Sequence, residues 1–390
     1  MTDTRLVPEV SLSETYGFYS MVEDTQIPEG LPYLVDRVSL AYLIGVTPRM
    51  IGQVIHTYKT DRGRWVYSKN HYYNTYEIPK RQTAREKEAG IQRMRKIQAP
   101  RHPLKAIQRG LAANFWSAFP IHPAVTSYIP GMSIRDTAIQ HASKDVVICV
   151  DIQDYFPSIK ELMIRKFLEQ HGYSALLART ISELCTFRCF LAQGSPCSPV
   201  VSNIIGSYLF DDKIQAAAES LGYHYTRYAD DLIFSKETDP DLETSDADLL
   251  VEKSTQILDR VGFKVASQKT KFMRKTSPRI RQRVLGLNVD NKLPPHDPAY
   301  GSSEPFIRVS RHTYRQIRSM LHDALTYGVA GAARKRQLSS ISFFAKLQSY
   351  VKSYLGQCDE RRFEKLIDDL ELVKALWKTE GGAVDSAELL

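Results

Sequence analysis

The sequence predicts an α+β fold in which short strands alternate with longer helices. Three observations carry that reading. Val146–Val150 is an unbroken, β-branched apolar run, the pattern of a strand buried on both faces. Tyr223–Ser235 reads as two strands joined by a tight turn. Helical patterning covers 161–190, 199–221 and the chain beyond about residue 300.

The elements follow in order. Residues 1–30 are polar and punctuated by proline, as in a loosely held arm. From Pro32 to Tyr58 apolar residues recur at helical spacing (Leu34, Val38, Leu43, Ile51, Val54, Ile55), and Thr47-Pro48 supplies an N-cap and a first helical position. Trp65–Tyr67 and Tyr72–Ile78 read as short strands. Residues 80–109 then carry ten Lys/Arg against two acids, Glu86 and Glu88, and residues 260–283 carry nine Lys/Arg and no acid. Arg311, Arg315 and Arg318 line one side of a later helix. The expected organisation is an N-terminal arm and helical element over 1–60, a central region over 61–300 and a helical C-terminal region over 301–390.

With 390 residues, 43% of them hydrophobic, the chain can bury a core spread over two or three subdomains. Its formal charge of +8 points to a polyanionic partner. Five cysteines form no dense framework, so a reducing compartment is expected; Cys185 and Cys189 lack a second ligand pair for zinc and are expected to pack in apolar surroundings. No apolar signal segment opens the sequence and no apolar run approaches the ~20 residues of a membrane span, so a cytoplasmic protein without membrane contact is expected.

The chemistry concentrates in carboxylates. Asp230-Asp231 stands at the proposed hairpin turn, where two adjacent negative charges repel unless a cation neutralises them. An isolated Asp-Asp is more often a solvated turn. Asp151, however, ends the buried strand, and pairing of that strand beside the hairpin would bring three carboxylates to one sheet edge. Hard oxygen ligands of this kind suit Mg2+. Two further segments stand out: Asp151-Ile-Gln-Asp-Tyr-Phe-Pro-Ser-Ile159, containing Phe156, and Ala192-Gln-Gly-Ser-Pro-Cys-Ser-Pro199, which leads into a helix.

In their order and spacing these pieces resemble the reverse transcriptase family. Arg95–Pro100, continuing to Gln108, looks like the fingers motif, Asp151–Ile159 like palm motif A and Gln193–Asn203 like motif B. Tyr228-Ala-Asp-Asp231 matches the YxDD box, Gly262–Phe272 resembles motif D and Val284–Asn288 the primer grip. The resemblance implies a right-hand polymerase fold with basic fingers, a ferredoxin-like palm and a helical thumb. It implies catalysis through two Mg2+ ions, or Mn2+, held by Asp151, Asp230 and Asp231, with Asp231 the more peripheral. It also implies Phe156 as the residue excluding a ribose 2′-hydroxyl, Arg95 on the incoming triphosphate, Gln193 at the nucleotide sugar and base, and Lys269 as the proton donor to pyrophosphate.

A narrower resemblance is to the bacterial retron enzymes. Ala138-Ile-Gln-His141 keeps their His ten residues before the motif A Asp, although Thr137 replaces an Asn; Val284-Leu285-Gly286 replaces their Val-Thr-Gly. This implies an RNA-directed DNA polymerase that uses dNTPs to copy a structured noncoding RNA into a short cDNA (msDNA) that stays bound, in antiphage defence beside a separate effector protein. Other defence-associated or group II-like reverse transcriptases, an RNA-dependent RNA polymerase and an idle RNA-binding scaffold are the alternatives. His141 is open between positioning RNA and simply satisfying local hydrogen bonds.

Overall fold

The computed structural model describes residues 27–55, 57–59, 65–80, 88–237, 245–277, 280–290, 307–354 and 364–381. Residues 1–26 of the expected arm, Arg81, Arg85, Glu86, Lys87, Arg279 and Cys358 lie outside them. Compactness divides the chain into two discontinuous units, 1–119 with 160–197, and 120–159 with 198–390.

The second unit is built on a four-stranded antiparallel sheet of β1 (Val146–Asp151), β2 (His224–Tyr228), β3 (Asp231–Lys236) and β4 (Lys271–Arg274), in the order β4-β1-β3-β2. Helices Ser198–Gly206 and Asp212–Glu219 lie between β1 and β2 in sequence, and helix Ser245–Arg260 between β3 and β4. This is the expected ferredoxin-like strand order. β1 is apolar from Val146 to Val150 because apolar groups cover both of its faces there. Val147 and Ile233 join a core with Val284, Leu287, Val309, Ile317, Leu321 and Phe343. On alternate residues Ile148 opposes Phe234 and Phe234 opposes Tyr225, with the two aromatic rings stacked at 5.2 Å.

The remainder of this unit carries a small sheet (Arg283–Val284, Leu287–Asn288, Arg308–Val309) and helices Arg311–Lys335, Ser340–Tyr354 and Glu364–Thr379. The first helix breaks at Gly328, whose φ is +71°. Arg311, Arg315 and Arg318 are all exposed on it, as their spacing predicts.

In the first unit, helix Arg37–Leu43 opens on an Asp36 capping box with Ser39, and helix Pro48–Ile55 starts where Thr47-Pro48 predicts. Strands Tyr73–Pro79 and Met94–Pro100 pair antiparallel. The continuous helix expected over 161–190 is instead two helices, Glu161–Gln170 and Ala175–Cys185, followed by a strand pair, Thr186–Phe187 with Phe190–Leu191. Gly172 at φ +84° ends the first helix, and the Ser174 hydroxyl accepts from the Leu177 N–H to start the next. The strand pair turns through Arg188 and Cys189, both at positive φ. Cys185 is buried as expected, but this turn leaves Cys189 exposed. Helix 199–221 is also interrupted, by a π-helical turn over Ser207–Asp211. Among the described residues no single helix is long and apolar enough to cross a membrane.

Helix Leu104–Gly110 crosses the end of the first helix so closely that a Cβ at Gly110 would fall onto the Ile44 carbonyl oxygen. Backbone cannot swing aside as a side chain does, so Gly110→Ala is expected to cost about 1–3 kcal/mol. Urea denaturation measures this, and an unchanged midpoint would contradict the close crossing.

Candidate active site

Asp151 is the last residue of β1 and Asp231 the first of β3, and the register sets them directly opposite one another. Tyr228, the last residue of β2, opposes Asp231 from the other side. Residues opposed across antiparallel strands share a sheet face, so Asp151, Asp231 and Tyr228 form one row. Asp230 sits in the two-residue turn Ala229-Asp230, and its carbonyl accepts from the Ile152 N–H at 2.8 Å. The three carboxylates singled out in the sequence therefore meet at one end of the sheet.

The turn is strained and held. Ala229 takes φ +54°, which costs a residue with a Cβ about 1–2 kcal/mol. Its N–H donates to Ser127 Oγ at 2.8 Å, and Arg227 Nη1 donates to its carbonyl at 3.4 Å. Arg227 is itself fully buried and ion-paired to Asp211 at 2.7 Å, with neither side chain exposed. Arg227 also donates to the Tyr155 hydroxyl at 2.9 Å and the Asn203 carbonyl at 3.1 Å. The Tyr155 hydroxyl donates a hydrogen bond to the Ser202 carbonyl, and the Tyr225 hydroxyl donates one to Asp211. Burial alone would lower the Arg227 pKa; Asp211 more than reverses this and keeps it charged. Sequence reading missed this pair. Its only trace is the acid pair Asp211-Asp212 after the largely apolar segment Ile204–Phe210, and a lone Arg in the strand that Tyr225 and Tyr228 share.

Beyond β1, Gln153 N–H donates to the Lys264 carbonyl and Ala266 N–H to the Asp151 carbonyl, both at 2.8 Å. This pairing delivers Lys269, whose Nζ lies 2.7 and 2.9 Å from the two carboxylate oxygens of Asp151. Phe156, half-buried on the single helical turn Tyr155–Ser158, has its ring 5.9 Å from that of Tyr155. Arg95 and Gln193 belong to the other unit. The exposed Arg95 lies three residues before Gln98, whose N–H donates to the Gln193 carbonyl at 2.7 Å while its Oε1 accepts from the Gln193 N–H at 3.1 Å. Gly194 follows at φ +117°, where a Cβ would press on Ile97 at 2.9 Å.

His141 is resolved in favour of local bonding. It is fully buried, with Nδ1 2.8 Å from Ser235 Oγ and Nε2 2.7 Å from Thr226 Oγ1. Burial, then His224 and Lys144, push its pKa down to about 3.

The electrostatics test whether this set fits a divalent ion. Burial first, then Asp230 and Asp151, push the Asp231 carboxyl up to about 7 against the opposing pull of Lys271 and Lys269. A set of hard oxygen donors that resists its own ionisation gains by taking up positive charge. Among the described residues no three His, Cys, Asp or Glu side chains form a preformed metal cage; Asp151 instead engages the Lys269 ammonium with both oxygens. The residues present fit a divalent ion by chemistry, and Asp151 would meet one with Lys269 already at both of its oxygens.

Two measurements follow. Asp231 holds its proton more tightly in the folded chain than in the unfolded one, so its carboxylate costs stability increasingly between about pH 4 and 7 and fully above. At pH 8 in EDTA, Asp231→Asn is expected to melt higher than wild type, by roughly 1–3 kcal/mol, and MgCl2 to stabilise wild type more than the variant. A variant that melts lower in EDTA would contradict the charge crowding. His141 has the opposite linkage, since the unfolded chain binds its proton more tightly. Its contribution is complete above about pH 6.5 and falls away by about 1.4 kcal/mol per unit as the pH drops towards 3. Wild type should therefore lose more stability than His141→Gln between pH 7 and 5.5, and equal losses in urea titrations would disprove the buried neutral ring.

The family model for reverse transcriptase (RNA-dependent DNA polymerase) matches residues 78–289, a span containing every site residue named above. Similarity to characterised proteins runs in the same direction. The chain is 32% identical over 275 residues to the retron Mx162 reverse transcriptase of Myxococcus xanthus, covering 65% of this chain and 52% of that protein. It is 30% identical over 311 residues to the retron Mx65 reverse transcriptase of the same organism, covering 75% and 64%. To the retron Ec86 reverse transcriptase of Escherichia coli it is 28% identical over 257 residues, covering 66% and 71%. The chain thus spans 52% and 64% of the length of the two Myxococcus relatives. With the matched segment extending over more than half of it, the chain belongs to the reverse transcriptase (RNA-dependent DNA polymerase) family.

Proposed function

We propose that the chain is an RNA-directed DNA polymerase of the retron type, which copies a structured noncoding RNA into a short cDNA (msDNA). The observation that carries this reading is the cross-strand register of Asp151 with Asp231 beside the Ala229-Asp230 turn, in a chain of this family. Asp151 and Asp230 would hold two divalent ions, with Asp231 at their edge. When bound, Mg2+ or Mn2+ lowers the pKa of the attacking hydroxyl and stabilises the leaving pyrophosphate.

The chain's own residues supply the rest. Lys269, beside Asp151, provides a positive charge and a proton for the departing pyrophosphate. Phe156 presents an apolar ring where a 2′-hydroxyl would lose its hydrogen bonds, which favours dNTPs. The resemblance assigns triphosphate binding to Arg95 and contact with the sugar and base to Gln193, both residues of the other unit. The fingers belong to that unit; the sheet is the palm and the helices after Ser310 the thumb.

Exposed Arg311, Arg315 and Arg318 suit the phosphates of a template–primer duplex, giving salt-sensitive and largely sequence-independent affinity. A structured RNA adds recognition through shape, 2′-hydroxyls and stacked bases. A cytoplasmic role in antiphage defence beside a separate effector protein belongs to this proposal and rests on the resemblance of the sequence motifs alone.

Labelled dNTP incorporation by the purified ribonucleoprotein tests the reading. Wild type is expected to make cDNA, and Asp230→Asn to lose activity on the order of 10³-fold, as loss of several kcal/mol of transition-state stabilisation requires. Equal incorporation by both proteins would remove the mechanism. Phe156→Ala should admit NTPs; unaltered sugar selectivity would take the gate away from Phe156.

A further inference from the structure

Tyr128 holds φ +56°, in the left-handed region that a bulky side chain avoids. This conformation costs roughly 1–2 kcal/mol, and the side chain that bears it is 49% exposed. The surrounding backbone enforces it. Arg227 N–H donates to the Ala124 carbonyl at 2.7 Å and Thr126 N–H to the Arg227 carbonyl at 2.9 Å, so residues 124–126 run alongside β2. Asn203 Nδ2 donates to the Ser127 carbonyl at 2.7 Å, and Ser127 Oγ accepts from the Ala229 N–H at the carboxylate turn. The same network that fixes the turn therefore forces Tyr128 into its strained pose.

That pose puts the Tyr128 ring 6.4 Å from the ring of Tyr228, tilted by 37°. Tyr228 lies in the row with Asp231 and Asp151. At about 4.8 Å between strands, it stands about 10 Å from Asp151. Two aromatic rings, one of them half open to solvent, thus flank the carboxylates on the side away from Lys269. Strained residues that persist against relaxation cluster at ligand contacts, and an exposed aromatic ring accepts any base on its face.

We propose that Tyr128, together with Tyr228, forms a ledge that seats the terminal nucleotide of the strand being extended. This rests on the polymerase reading. The triphosphate of an incoming nucleotide belongs on the carboxylates themselves, whereas the nucleotide bearing the attacking hydroxyl is displaced along its strand, as the ledge is displaced along the row. Tyr128 is a contact residue that holds the nucleotide; it does not act on the reacting atoms.

The test separates ring from backbone. Gly and Asn both accept positive φ, so Tyr128→Gly and Tyr128→Asn remove the ring while keeping the pose, and Tyr128→Phe keeps the ring. Binding of a fluorescein-labelled RNA–DNA primer–template duplex is measured by anisotropy in EDTA, without turnover, and KM for duplex and for dNTP is measured with Mg2+. The Gly and Asn variants are expected to weaken duplex binding on the order of tenfold and raise its KM alike, with the dNTP KM within about twofold of wild type and Tyr128→Phe unchanged. Melting temperatures at or above wild type are expected for both ring-less variants, and if the Gly variant melts early the Asn variant carries the comparison. Wild-type duplex affinity without the ring, or equal damage in Tyr128→Phe, would overturn the ledge. A wild-type protein that binds duplex but incorporates no dNTP would instead sink the polymerase reading, and the EDTA binding result would still decide the ledge.

Discussion

The buried ion pair between Arg227 and Asp211 is the contact on which the rest of the site depends. Taking two charges out of water costs several kcal/mol each, and their attraction offsets this only if the remaining donors and acceptors are satisfied. Here they are satisfied by the very segments that must be aligned: Tyr155 beyond β1, Asn203 in the helix after the glycine-containing loop, Tyr225 on β2 and the carbonyl of Ala229. A displacement of any one of these strands a buried charge or polar group. The network therefore converts a desolvation penalty into positional precision at the sheet edge.

That precision serves an arrangement that is unfavourable by itself. Burial first, and then the crowding of Asp230 and Asp151, push the Asp231 carboxyl up to about 7, and Ala229 is kept at positive φ to allow the turn. Lys269 compensates part of the charge through Asp151. A divalent cation would relieve such crowded negative charge, while the apolar core of Val147, Ile233, Leu287, Leu321 and Phe343 stabilises the same unit.

Much of this was legible in the sequence because it is local. The apolar run Val146–Val150 and the Tyr223–Ser235 hairpin each carry their periodicity and their turn in consecutive residues, and the register that opposes Asp151 to Asp231 follows once the two are paired. What escaped is long-range or depends on burial. Nothing near Arg227 announces Asp211, and Lys269 is named only through the family resemblance, with no sign in the sequence of its pairing with Asp151. His141 shows no local sign of whether it is enclosed. The breaks at Gly172 and at Arg188-Cys189 are backbone events that helical patterning does not report, so 161–190 reads as one helix and Cys189 as buried. Tyr128 gave no signal at all, because its strain comes from backbone bonds to a strand about a hundred residues away.

The central claim is that Asp151 and the Asp230-Asp231 pair together hold divalent ions around a nucleotide's phosphates. Anomalous scattering from crystals grown with Mn2+, a primer–template duplex and a non-hydrolysable dNTP tests it most directly. The account predicts metal peaks ligated by Asp151 and Asp230, with Lys269 moved off Asp151. Peaks bound elsewhere, or a bound nucleotide with Asp151 still paired to Lys269 and no metal beside it, would contradict it.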